Sequence, residues 1–179
     1  MATFIERMVG AAMLDVATYE EVEHDTTATG QAAAAVALVA AAQAIGQSSN
    51  GIGVMIVGVL SALLGWLVWS AITYVVGVSL FGGRADWGEM LRTIGFAQTP
   101  GVLAVVGFIP LLGGLARLAA AVWTVVAVIV AIRQALDVGT GKAVGTALVG
   151  LFVNLVLLAI LGIFFGTLGL IAGGVGALL

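Results

Sequence analysis

The densest chemistry in the chain lies in "TYEEVEHDTTATG", residues 18–30, where Tyr19 to Asp25 hold four carboxylates (Glu20, Glu21, Glu23 and Asp25) and the single histidine, His24. On a helix Glu20 and His24, or Glu21 and Asp25, stand one turn apart, the spacing at which two side chains can share a divalent ion. Strong zinc sites supply several nitrogen or sulfur ligands, which one imidazole does not. No metal or cofactor is therefore expected. Thr18 followed three residues later by Glu21 has the form of a capping box, so a helix is expected to begin there, its first-turn acids meeting the positive end of the helix dipole. The same five residues, Glu20, Glu21, Glu23, His24 and Asp25, are also candidates for docking a basic partner.

A second group of polar and aromatic side chains sits in apolar surroundings. Trp66 and Trp69, then Trp123, fall in the middle of long hydrophobic runs, whereas Trp usually collects at membrane interfaces, as Trp87 is placed to do. Packing between helices and contact with a bound lipid both suit them. Asn154 lies at the centre of another run, where its amide needs an interhelical hydrogen bond. Arg117 lies just inside a run, close enough to its end to reach the headgroups. "GTGK" (Gly139 to Lys142) falls short of a phosphate loop, since Leu136 and Ala143 occupy positions that need Gly and Ser or Thr.

The elements that must carry these groups follow from composition. Of 179 residues 62% are hydrophobic and 8% charged, against about 45–50% and about 25% in soluble domains. Apolar runs near 20 residues recur, the length a helix needs to cross a membrane. Five spans are expected, at 27–46, 53–80, 94–111, 115–134 and 143–165, with an apolar tail at 166–179 that either extends the fifth or folds back. The runs are continuously apolar rather than alternating, which points to helices and not to a barrel. The fold class is thus all-α, a polytopic five-helix membrane bundle. Pro100-Gly101 and Pro110 predict a bent or shortened third span. Small residues four apart, Ser61/Gly65, Gly141/Gly145, Gly162/Gly166 and Gly169/Gly173, are candidates for close helix approach.

Residues 1–26 read as a cytoplasmic amphipathic and acidic segment. Phe4, Ile5, Met8, Val9 and Ala12 fall on one arc of a helix over 3–12, with Thr3, Glu6, Arg7 and Gly10 on the other. Such a helix either lies in the headgroup plane or packs against the bundle. Glu6, Arg7 and Asp15 interrupt the apolar core a signal peptide would need. Arg7, Arg84, Arg92, Arg133 and Lys142 fall on one side of the expected spans and Arg117 on the other, so the positive-inside rule puts the N-terminus in the cytoplasm and the C-terminus outside.

Nothing in the spans carries a proton: the nine acids, the histidine and the lysine all lie outside them, which removes the usual machinery of coupled transport. No His neighbours a Ser and no carboxylates pair within a span, so no catalytic residues are assigned and no enzymatic activity is expected. Cysteine is absent, which excludes thiol chemistry.

"GGRADWGEMLRTIGFAQTPGVL", "GFIPLLGGL", Trp123 and "AIRQALDVGTGKAV", within Phe81 to Val144, resemble the membrane domain of the Yip family, the Ypt-interacting proteins, in its bacterial branch. "LDVATYEEVEHDTTATGQA" is similar to the N-terminal regions of bacterial members. The resemblance implies five spans, a cytoplasmic N-terminus, residence in the bacterial inner membrane and no catalysis. Eukaryotic relatives bind lipidated small GTPases and help shape or sort vesicle membranes. Their Asp-Leu-Tyr-Gly-Pro-like motif and long cytoplasmic N-terminal domain are not in this sequence, so that activity is not carried over. The expected function is to organise membrane or partner proteins, including service as an accessory subunit of a membrane complex. The expected partners are membrane lipids, other membrane proteins or a second copy, and not nucleic acid. The rival is a small channel or transporter built around the broken third span, with Asn154 at its midplane.

Overall fold

The computed structural model describes residues 2–47 and 51–176, with side chains to residue 167. Seven α-helices follow in order: α1 (Phe4–Ala12), α2 (Val16–His24), α3 (Thr29–Gly46), α4 (Ile52–Phe81), α5 (Trp87–Ala97), α6 (Leu112–Ala135) and α7 (Thr140–Gly176). No strand occurs among the described residues. Among the described residues five segments are long and apolar enough to cross a membrane: Thr26–Gly46, Ile52–Phe81, Trp87–Phe108, Leu112–Ala135 and Thr140–Thr167.

These five are not equivalent. In the third, 67% of the most apolar window is buried, against 6% in the second and fifth. The third segment is therefore the core of the bundle, while α4 and α7 turn Ile56, Leu60, Leu64, Leu155 and Leu158 outward to lipid. Its start is fixed by a capping box: the Glu89 amide donates to Asp86 Oδ1 at 2.8 Å and the Asp86 amide to Glu89 Oε2 at 2.7 Å.

Its break has a specific cause. An amide at position 100 would continue the helix by donating to the Phe96 carbonyl, and Pro100 has none. The Thr99 hydroxyl donates to that carbonyl instead, at 2.6 Å. The chain then runs on as a ten-residue 3-10 segment, Thr99–Phe108, well beyond the three or four residues usual for that geometry.

At three residues per turn, Gly101, Ala104 and Gly107 line up on one buried face. That face meets α3 backbone to backbone: a Cβ at Gly46 would overlap the Ala104 carbonyl oxygen, and one at Gly107 would stand 2.8 Å from the Gly46 carbonyl oxygen. A Cβ at Gly113, in the first turn of α6, would overlap the Gly107 carbonyl oxygen. The close approach thus runs through α3, the 3-10 segment and α6. The small pairs singled out in the sequence are mostly elsewhere: Gly65, Gly141, Gly162 and Gly166 face open space, Gly145 meets the Phe81 ring, and the side-chain surroundings of 169 and 173 lie outside the described residues.

Candidate functional site

Before the first span the chain makes a helical hairpin. Thr3 and Glu6 form a capping box at the start of α1, and Leu14, with φ of 62°, reverses the chain into α2. The expected box of Thr18 with Glu21 is not formed. Asp15 caps α2 instead, accepting from the Thr18 amide at 3.1 Å and from its hydroxyl at 2.6 Å, so the helix starts earlier. It also ends before the first span, because Asp25 caps a 3-10 turn, Thr26–Ala28, through the Thr27 amide at 3.0 Å.

Polar contacts fasten the hairpin to the bundle. Arg7, placed by periodicity on the polar arc of α1, is 1% exposed. Its Nη2 contacts Glu21 Oε1 at 2.9 Å and Asp25 Oδ2 at 2.6 Å, and its Nη1 donates to Gln31 Oε1 at 3.1 Å. The Tyr19 hydroxyl donates to the Ala11 carbonyl at 3.0 Å, tying α2 to α1. The Phe4 and Phe96 rings stand 6.3 Å apart. The Gln134 amide, at the end of α6, donates to Glu20 Oε1 at 3.1 Å, whereas Trp123 Nε1, halfway along α6, donates to the Ala12 carbonyl at 2.7 Å. The hairpin thus lies along half of α6. Ile5, Val9 and Met13, four residues apart, point away from the protein.

The five acidic-segment residues have separate fates. Glu21 and Asp25 are taken by Arg7, which holds both carboxyls below the usual range, for Asp25 behind a larger contribution from Thr27. Glu20 and His24 are exposed. Glu23 is 6% exposed and has no ion-pair partner among the described residues. Burial pushes its carboxyl up to about 7, with Glu89, Asp137 and Glu20 adding to the rise and His24 opposing it. His24 turns Nδ1 to the Glu20 carbonyl at 2.8 Å, and that bond, followed by the charge of Glu23, raises its pKa. Among the described residues no three His, Cys, Asp or Glu side chains are grouped to hold a metal. Arg92, unassigned from sequence beyond its charge, is buried and donates from Nε to the carbonyls of Val22 at 2.9 Å and Glu23 at 3.0 Å, with Nη2 also on Glu23.

Inside the span region, Trp66 is buried and donates to the Leu91 carbonyl at 3.0 Å. The interhelical hydrogen bond expected of Asn154 is not formed among the described residues; the side chain lines a cleft of about 400 Å³ with Trp69, Thr124, Val128 and Leu148. Arg117 bonds within the protein, Nε donating to the Gly113 carbonyl and Nη2 to the Gly107 carbonyl, both at 3.1 Å. Sequence reasoning passed over Gln98. It lines that cleft and two more of about 250 and 290 Å³. Its signal was position: a carboxamide immediately before Thr99-Pro100 lies at the break in the third span.

A family model described as the Yip1 domain matches residues 17–163. No curated protein and no solved structure matches the chain.

Proposed function

We propose that this chain, which belongs to the Yip1 domain family, is a non-enzymatic organiser of the bacterial cytoplasmic membrane, with its N-terminus in the cytoplasm and its C-terminus outside. The family is not known for enzymatic activity, and its members interact with other membrane proteins. One observation carries the reading: the bond from Trp123 to Ala12 sets the tip of the α1–α2 hairpin at the middle of α6. The hairpin displaces lipid from one leaflet only, and Ile5, Val9 and Met13 form its lipid-facing side. Trp123 then lies beneath an interfacial cap, which accounts for a Trp halfway along a span. The end that carries Glu20, His24, Glu89 and Asp137 at its surface is the face offered to a partner, and through it the protein serves as an accessory subunit.

The rival channel reading draws on Gln98 and Asn154, which line one cleft beside the broken third span. Against it, the 3-10 segment touches α3 backbone to backbone at Gly46, Ala104 and Gly107 and touches α6 at Gly113, a close packing that favours the organiser.

The test is sorting between small and large vesicles of phosphatidylcholine and phosphatidylglycerol. Native protein is expected to enrich in the small ones, with the hairpin in the outer leaflet, and the triple variant Ile5→Ser, Val9→Ser, Met13→Ser to distribute evenly. Even distribution of the native protein would refute one-leaflet displacement, and a specific solute flux would establish the rival.

A further inference from the structure

We propose that the end of the bundle opposite the acidic cluster holds a membrane phospholipid with an anionic headgroup, its phosphate at Arg117 and an acyl chain in the cleft between α6 and α7. The site is independent of the hairpin. Arg117 has no carboxylate within ion-pair distance among the described residues, and its guanidinium donates to two neutral carbonyls, of Gly113 and Gly107. Its charge therefore has no counter-charge among the described residues. It stands in the second turn of α6, at the rim of the cleft of about 290 Å³ that also contains Gln98, Ala121 and Thr124.

The second cleft, of about 400 Å³, begins where the first ends, because Gln98 and Thr124 line both. It continues along Val128 and Ile129 of α6 and Leu148 of α7. Along α6, Arg117, Ala121, Thr124 and Val128 recur at spacings of four, three and four, which places them on one helix face. That face carries a cation at one end, a small residue and hydrogen-bonding groups in the middle, and aliphatic side chains beyond. A phospholipid presents the same order: phosphate, ester linkages, hydrocarbon. The Gln98 carboxamide and Thr124 hydroxyl can donate to the ester carbonyls. Gln98 has no side-chain hydrogen bond among the described residues, a costly state in hydrocarbon that such a ligand relieves.

Lipid retention by purified protein in mild detergent, read by native mass spectrometry with equal phosphatidylglycerol and phosphatidylcholine, tests the site. The native chain is expected to favour phosphatidylglycerol by about fivefold, the ratio equivalent to about 1 kcal/mol for one basic residue at an anionic headgroup. Arg117→Gln should remove the preference. Arg117→Lys, which keeps the charge but not the forked contact to two carbonyls, should retain most of it. Val128→Trp leaves Arg117 untouched and should lower retention of both lipids by filling the acyl cleft. If Arg117→Gln does not fold, the lysine and tryptophan variants decide alone. An unchanged preference in folded Arg117→Gln, its loss in folded Arg117→Lys, or undiminished retention in Val128→Trp would each overturn the site. Inorganic phosphate raising the melting temperature as much as phosphatidylglycerol does would overturn the acyl component.

Discussion

Arg92 closes the C-terminal end of α2: its Nε stands 2.9 Å from the carbonyl oxygen of Val22, seventy residues earlier in the chain. The last carbonyls of a helix have no partner within it, and a cation there also meets the negative end of the dipole. Replacing Arg92 by Met leaves the Val22 and Glu23 carbonyls buried without this donor. A loss of about 3 kcal/mol is expected, at about 1–3 kcal/mol for each unmet group. Unfolding in detergent measures it. Arg92→Lys should recover only part, since an ammonium does not reproduce the guanidinium fork.

Arg7 offers a comparison of breaking a buried ion pair with removing it. Arg7→Met leaves Asp25 and Glu21 without their cation, and a loss of about 3 kcal/mol is expected. Adding Glu21→Gln and Asp25→Asn should restore about 1 kcal/mol or more, because no unpaired charge then remains. Hydrogen exchange should show α1 losing protection in the single variant while α5 keeps its own. Equal losses throughout the bundle would contradict a separately fastened hairpin.

Glu23 predicts the pH dependence. Its carboxyl rises from 4.5 to about 7 on folding, so the folded state holds the proton more tightly. The stabilisation this gives is complete below about pH 4.5 and disappears as pH rises through about 7. Glu21 and Asp25 act in the opposite sense, since their folded values are lowered, and their contribution is lost as pH falls through those values. Comparing Glu23→Gln with the native chain cancels them. The variant should match native protein at low pH and exceed it above pH 7 by an amount of order 2 kcal/mol. Melting temperatures across that range give the result, and a constant difference would assign no titration to Glu23.

The glycine contacts predict which small residues tolerate enlargement. Gly46→Ala and Gly107→Val place carbon against backbone carbonyls and should abolish the monodisperse species in detergent chromatography. Gly65→Ala meets nothing within 4 Å and should be neutral or stabilising, by up to about 1 kcal/mol, from helix propensity.

Much of this architecture is visible in the sequence. Five apolar helices and the amphipathic α1 follow from hydrophobic runs and periodicity, and Pro100 announces the break in the third span. The arrangement of the acids is not visible, because Arg7 finds Glu21 and Asp25 through a chain reversal at Leu14, a residue type that gives no hint of a left-handed turn. The capping box misled for a local reason, since Asp15 lies three residues before Thr18 and takes its amide. Close helix approach through small residues is expected at a spacing of four, whereas Gly101, Ala104 and Gly107 repeat every three.

A 3-10 run has its own rules of length. Ten residues in that form rise about 20 Å, against about 15 Å as α-helix, so the third segment reaches further per residue than a continuous α-helix would. Removing three residues between Gly101 and Phe108 would shorten the crossing by about 6 Å yet return each remaining side chain to its original direction. Removing one would turn everything beyond it by a third of a revolution and carry Gly107 away from Gly46. The segment is therefore constrained in phase by the direction of its small residues and in length by the contacts they make with Gly46 and Gly113.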